Sequence, residues 1–401
     1  MACDTETVRD EPWSVQLANM VDPEGAMFYC DNLLSMSVVR IMLESDTTLT
    51  VLHNAKFDLD ILSQCGIHPA HTECTMQMAY LLGYPALSLK VLAYRLAGID
   101  MRTYKEVTAE ATAVQAEAYL EEVSLHEWPD PDPTMAFDKD GMPKFSFPKN
   151  IQGKVKRLLD KHLLDPSINL YDKWHLMDEA GGRGQVEAVL GRMHPAYLDE
   201  VNVDVAEAYA RLDAKATLAI YGTLHARIME FGLQGVLERD MDTLPMIMQM
   251  EGNGVLLDTS VLEELRADLD VLTADTQADI DFIAGHYVNP RSSQQVVALL
   301  QDKGIYTDME TSTDASVLDQ FREHTIVGKI QNYRAYTKLQ STYVAGLMKA
   351  VDGEGKIHTK FSTTRTETGR LASSDPNLQN IPVRTELGRR IRQAFVAERG
   401  E

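Results

Sequence analysis

The first fifty residues alternate in short runs. "CDTETVRDEPWSVQLANM" reads as a strand, a turn at Asp10 to Pro12, and a second strand in which Val15 and Leu17 alternate with polar neighbours. "AMFYCDN" predicts a third strand and "SVVRIMLE" a helix. "LTVLHNAKFDLDILSQCGI" predicts a strand that enters a helix through the polar pair His53-Asn54. Interleaved strands and helices imply an α/β layer.

Further along, "TMQMAYLLGYPALSLKVLAYRLAG" has helical spacing, with Gly83 and Pro85 dividing it into two pieces. His126 to Asn150 packs prolines among acids and predicts a surface loop or insertion. Helices resume in "IQGKVKRLLDKHLL" and "VDVAEAYARLDAKATLAIYGTLHARI". From about residue 232 the helical period dominates: Val261, Leu262, Leu265, Leu269 and Leu272 fall on one stripe, and Tyr336, Leu339, Tyr343 and Leu347 on another. The two glycines of "MEGNGVLLD" mark a tight turn before the first stripe.

A chain of 401 residues is long enough for two or three domains with a substantial core. No window approaches the roughly 18 to 20 apolar residues a bilayer helix needs, and "MACDTETVRDEPW" has no export pattern, so no membrane partner and a cytoplasmic location are expected. Cys3, Cys30, Cys65 and Cys74 form no C-x-x-C pair and read as reduced thiols without a zinc site. The net charge of -22 repels nucleic acid at long range. One segment reverses it: Lys356 to Arg399 holds nine basic and four acidic residues, a local +5. Something anionic is expected there.

Candidate chemistry lies in the acids. Asp4 and Glu6 in "DTET" are two apart, so on a strand both carboxylates point to one face, about 7 Å apart, suited to gripping a divalent cation. In "YARLD" a helix would set Tyr209 and Asp213 one above the other. Asp58 in "HNAKFD" is a third source. Taken singly, each acid is more often a solvated one. Taken together they suit two Mg²⁺ or Mn²⁺ ions roughly 4 Å apart, one activating a water and the other stabilising the leaving oxygen of a phosphodiester. In that scheme Asp4 bridges, Glu6 and Asp213 complete the first ion, Asp58 holds the second, and Tyr209 orients the nucleophile.

The quoted motifs resemble those of the bacterial DNA polymerase I family (family A), from its proofreading 3'-5' exonuclease domain through the thumb. "DTET", "HNAKFD" and "YARLD" match the three exonuclease motifs of the tyrosine-containing class. The resemblance implies an α/β ribonuclease-H-like exonuclease domain, a mixed sheet with flanking helices, over residues 1–231. An α-rich thumb is implied over 232–355 and an incomplete palm entry over 356–401. It assigns metal binding to Asp4, Glu6, Asp58 and Asp213, water orientation to Tyr209, and a supporting place to Asn54.

"TGRLASSDPNLQNIPVR" resembles the family's run from thumb into palm, which implies DNA contacts by Arg370, Asn377, Gln379, Asn380 and Arg384. Primer-template and single-stranded 3' ends are the implied partners, and the basic segment reads as part of a primer-template saddle. The palm's catalytic aspartates are not in the sequence, so polymerisation is not expected from this chain alone. A noncatalytic DNA-holding subunit, or half of a split polymerase completed by a second polypeptide, are the alternative readings. A bacterial cell is the expected setting, and a phage-encoded origin fits family members that have no 5'-nuclease domain. Two features depart from the family: Cys74 stands where aspartate is usual, and the short lead before Asp4 predicts a loosely anchored first strand.

Overall fold

The computed structural model describes residues 1–108, 111, 196–307, 309–382 and 384–397. The predicted loop at 126–150 and helix at 151–164 lie outside the described residues. The chain divides into two compact units, Met1–Met241 and Asp242–Glu401.

The first unit is built on a five-stranded mixed sheet in the order β3-β2-β1-β4-β5, the ribonuclease-H-like arrangement. Strand β1 (Ala2–Val8) pairs antiparallel with β2 (Glu11–Ala18), which pairs antiparallel with β3 (Ala26–Tyr29). The connection between β1 and β2 is tighter than predicted. Arg9 and Asp10 both take positive φ, 52° and 66°, the signature of a two-residue hairpin turn. Pro12 therefore sits inside β2, opposite Thr7, where the register shifts between Glu6 and Thr7. A proline has no N–H for the ladder, and a register irregularity is where a strand tolerates that loss.

Helix α1 (Leu33–Leu43) leads into β4 (Leu49–Leu52), which runs parallel to β1 with Ala2 opposite Val51. Strand β1 is firmly held: Ala2 and Cys3 are 0% exposed. The Met1 amine donates to Leu49 O at 2.7 Å and Val51 N–H donates to Met1 O at 2.8 Å. The loosely anchored strand expected from the sequence is thus replaced by one clamped on both edges.

Helix α2 (Ala55–Gln64) is followed by β5 (His71–Cys74), parallel to β4, then α3 (Thr75–Leu81) and α4 (Leu89–Ala97). Strand β5 was not legible, because "HTEC" has no apolar alternation and only Cys74 is buried in it. Long helix α5 (Val203–Glu230) closes the unit against the sheet. Its buried stripe begins with small residues, Ala206, Ala210 and Ala214, which let the helix approach the strands closely, and ends with Ile220, Leu224 and Ile228. Burying each of the last three contributes about 1.5–3 kcal/mol.

Helix α6 (Gln234–Asn253) contains the division between units. In the second unit, Gly254 at φ +65° turns the chain into the short strand β6 (Val255–Leu256), paired with β7 (Lys356–Ile357). Helix α7 (Thr259–Ala284) is capped by Asp258, whose Oδ1 accepts from Ser260 N–H at 3.0 Å. Its two ends feed two cores. Leu262, Leu265 and Leu269 pack with Leu347, Ile357 and Ile391, while Ile280 and Ala284 pack with Leu300, Tyr306 and Ile330. Helix α8 (Ser293–Asp302) and α9 (Thr325–Lys338) supply the second cluster. A widened π turn at Leu339–Val344 then continues into α10 (Ala345–Ala350). The hairpin β8 (Lys360–Ser362) with β9 (Ala372–Ser374), and α11 (Glu386–Gln393), complete the described chain. Among the described residues no helix is long and apolar enough to cross a membrane.

Candidate metal centre and nucleic-acid surface

The site forms where the centre of β1 meets α5 and the first turn of α2. Asp4 and Glu6, two apart on β1, point to the face that α5 covers. Asp213 comes down from α5, and one carboxylate oxygen from each of the three lies within 4.8 Å of the others. All three are half-buried.

Asp58 reaches β1 at Thr5 from the first turn of α2. Strand β4 ends at Leu52, and Asn54 follows in the left-handed region, φ 64° and ψ 48°. Asparagine tolerates that conformation better than most residues. The turn starts α2 so that Asp58 falls in its first turn beside the edge of β1. There Asp58 Oδ1 accepts from Thr5 N–H at 3.1 Å and from Thr5 Oγ1 at 2.8 Å. Asn54 itself is exposed and makes no side-chain cap bond, so its observed contribution is the turn. Asp58 lies outside the three-carboxylate group but interacts with Asp4 and Glu6 through its charge.

Crowding acids out of water favours their neutral forms. Burial, with Asp213 and Asp58 nearby, pushes Glu6 up to about 8. Burial raises Asp58 to about 8 against the opposing Thr5 bonds, and raises Asp213 to about 6. Asp4 moves up for the same reasons, burial first and its three acidic neighbours next. Two carboxylate oxygens, Oδ1 of Asp213 within the group and Oδ2 of Asp58 beside it, are buried with no hydrogen-bond partner among the described residues. An all-oxygen set of mutually repelling, partly unbonded carboxylates fits a hard divalent cation, which would supply the missing charge.

Tyr209 lies one helical turn before Asp213 and packs edge-on against Tyr104 at 6.3 Å between ring centres. Burial and the nearby acids raise its phenol far above the ordinary range, so its proton stays on. Two contributors were not singled out from sequence. Thr5 lies inside "DTET", but nothing in the sequence pairs it with Asp58. Lys90 on α4 holds its Nζ 5.2 Å from the Tyr209 ring centre and lowers both Glu6 and Asp213. A lysine on an amphipathic helix carries no signal of that kind.

Cys74 is buried outside the carboxylate group, its Sγ accepting from Ala55 N–H at 3.5 Å at the start of α2. Burial pushes its thiol up, so it holds α2 in place as a neutral group. His53 is likewise a scaffold residue. Its Nε2 bonds Leu87 O at 3.0 Å and its Nδ1 lies 2.8 Å from Thr75 Oγ1, and burial lowers it to about 4.

In the second unit the five residues expected to meet DNA, Arg370, Asn377, Gln379, Asn380 and Arg384, are all exposed. Their side chains divide. Gln379 Oε1 accepts from Ser373 N–H at 3.1 Å and its Nε2 donates to Leu371 O at 2.8 Å. Asn377 Oδ1 accepts from the N–H groups of Gln379 and Asn380 at 3.0 and 3.2 Å. Both amides are thereby engaged in shaping the loop after β9. The two guanidinium groups are the exposed charges. Arg390, by contrast, pairs with Asp268 at 2.6 Å.

The same unit has a cleft of about 310 Å³ lined by Arg291, Arg334, Thr337, Lys338, Ser341 and Thr342. Arg334 is tied into the fold, donating to Pro290 O at 2.7 Å and to Thr313 Oγ1 at 3.1 Å. Arg291 and Lys338 leave the cleft cationic.

Comparison with known proteins follows this division. Residues 1–122 match the family model described as 3'-5' exonuclease, and residues 259–401 match that of DNA polymerase family A. The chain is 40% identical over 200 residues to the thermostable DNA polymerase I of Thermus aquaticus, covering 48% of this chain and 24% of that protein. To DNA polymerase I of Treponema pallidum it is 39% identical over 207 residues, 50% of this chain and 21% of the relative. The aligned part thus spans about a quarter or less of these relatives' length. The fold resembles the POL domain of Pol1 from M. smegmatis, solved with DNA primer-template and dNTP. The TM-score is 0.66 at 21% identity, over 100% of this chain and 55% of that one. The chain belongs to the family A DNA polymerases, carrying the 3'-5' exonuclease domain in its first unit and part of the polymerase domain in its second.

Proposed function

We propose that the first unit is a metal-dependent 3'-5' exonuclease that releases nucleoside 5'-monophosphates from DNA 3' ends. The observation that carries this reading is the convergence of Asp4, Glu6 and Asp213, within 4.8 Å, beside a fourth acid held by Thr5. Asp4, Glu6 and Asp213 would hold one divalent cation, and Asp58 with Asp4 a second. When bound, such ions make a water nucleophilic at neutral pH and stabilise both oxygens of the displaced phosphodiester.

The chain's own residues set the geometry. Thr5 fixes Asp58 by two hydrogen bonds, so the second site is oriented before any ligand arrives. Tyr209, kept protonated, can donate its hydroxyl proton toward an attacking water or a phosphate oxygen. Lys90, stacked over Tyr209, offers positive charge to an anionic substrate. Frayed and mismatched ends are the favoured substrates, because paired bases must first be separated.

Incubation of the full chain with 3'-mismatched DNA and Mg²⁺ should yield mononucleotides. Asp4→Ala and Asp213→Ala should each reduce release by on the order of 10³-fold, the scale at which an essential charge-stabilising group acts. Unchanged release in both variants would reject the reading.

A second reading concerns the other unit: it holds primer-template DNA. The cationic cleft at Arg291 and Lys338 and the exposed Arg370 and Arg384 favour it. Binding that weakens as salt rises is expected, because each phosphate contact displaces counterions. No binding at low salt would remove this reading.

A further inference from the structure

Residues directly opposite one another in an antiparallel pair project to the same face of the sheet. Asp4 lies opposite Gln16 and Glu6 opposite Ser14, so the two carboxylates share their face with an amide and a hydroxyl. Helix α5 covers that face with small side chains, and Ser14, Gln16, Ala214 and Thr217 are all 0% exposed. A buried amide needs a bond at both ends. Gln16 has one: its Nε2 donates to Ser14 Oγ at 2.6 Å. Its Oε1 is buried with no partner among the described residues, and so is Thr217 Oγ1, one turn beyond Asp213 on α5. An apolar side chain of the same length would fill this position without any unbonded oxygen. The amide oxygen therefore points to a missing donor beside Asp4.

We propose that Gln16 is a positioning residue of the cation site, its Oε1 accepting a hydrogen bond from a water in the hydration shell of the ion held by Asp4, Glu6 and Asp213, with Thr217 Oγ1 beside it. The proposal rests on the metal-dependent reading above. A neutral amide suits the place: it orients a water without adding charge to a site already crowded with carboxylates.

The test is Mn²⁺ titration of the full chain, followed by loss of the free-ion paramagnetic resonance signal, with thermal unfolding in EDTA as the second readout. Gln16→Met should weaken Mn²⁺ binding roughly 10- to 100-fold, the usual effect of removing an outer hydrogen-bond partner. Its Tm in EDTA should equal or exceed that of the wild type. Gln16→Glu keeps the acceptor and should bind Mn²⁺ at least as tightly as the wild type. Unchanged Mn²⁺ affinity in Gln16→Met, or a loss that only follows a lower Tm in EDTA, overturns the inference while leaving the cation site standing. If Gln16→Met does not fold, Thr217→Val replaces it: weakening by about 10-fold supports the inference and unchanged binding overturns it. A wild-type chain that binds no Mn²⁺ overturns both the inference and the reading beneath it.

Discussion

In the first unit the groups proposed to act are acids taken out of water, partly unbonded and pushing one another toward their neutral forms. In the second they are bases left in water, while the neighbouring amides of Asn377 and Gln379 are engaged in shaping their own loop. The two arrangements answer different demands. A cage for a hard cation gains from strain that a ligand relieves, because the ion then binds the folded state with the carboxylates' own repulsion behind it. A surface for a phosphate backbone gains from solvated charges that exchange small counterions for phosphate. Substitutions in the first region should therefore change chemistry and stability, and those in the second should change affinity and its salt dependence.

After the loss of Asp4 or Asp213, the largest effect is expected from Tyr209→Phe, which removes one hydroxyl from the acid cluster and leaves the ring against Tyr104. Mononucleotide release should fall roughly 10²-fold in kcat with KM almost unchanged. A matching loss of DNA affinity with kcat preserved would place Tyr209 in substrate binding instead.

Next comes the pH dependence of the metal-free protein. Glu6 and Asp58 sit near 8 in the fold against ordinary values of 4.5 and 3.8. The fold prefers them protonated, so their contribution to stability is complete below about pH 4 and is lost as pH rises through about 8. His53 acts in the opposite sense. Held near 4 against 6.5, it contributes stability above pH 6.5 that is lost as pH falls through 4. In EDTA, Tm should decline between pH 6 and 8.5, and Mn²⁺ should abolish the decline by binding the ionised carboxylates. Asp58→Asn should flatten it and raise Tm at pH 8 by about 3 °C, since a kcal/mol or so is worth a few degrees in a unit of this size. A Tm in EDTA that is level across this range would contradict the repulsion described.

The smallest effect is expected in the second region. Arg370→Ala should weaken primer-template binding several-fold and reduce the salt slope by about 1, while leaving hydrolysis of a short single strand unaltered. Gln379→Ala should instead lower Tm, because it removes both bonds that hold the loop to Leu371 and Ser373. If Gln379→Ala left Tm intact and matched the affinity loss of Arg370→Ala, the division between scaffold and contact residues would fail.

Much of this is legible in the sequence. The strands at Ala2–Val8 and Leu49–Leu52 and the helix at Val203–Glu230 follow from short strand-forming runs bounded by polar turns and from the 3.6 period, which act on each segment by itself. The pairs Asp4 with Glu6 and Tyr209 with Asp213 follow from the same local periods. Strand β5 did not, because its four residues are recruited by the edge of β4 rather than by their own hydrophobicity. Thr5's hold on Asp58, Lys90's approach to Tyr209 and the unbonded oxygen of Gln16 were also beyond reach. The first two join residues far apart in the chain, and the third depends on what packs around Gln16.

The amino-acid sequence by itself determined most of the elements, the spacing of acids within each of them and the basic run near Arg370 and Arg384. Those depend on backbone periodicity and composition, which are local. Only the tertiary structure decided that three acids from two distant elements lie within 4.8 Å. It also decided which polar atoms at the site are bonded and which amides after β9 shape the loop. Proximity, desolvation and hydrogen-bond partners are properties of the packed chain, and no single segment carries them.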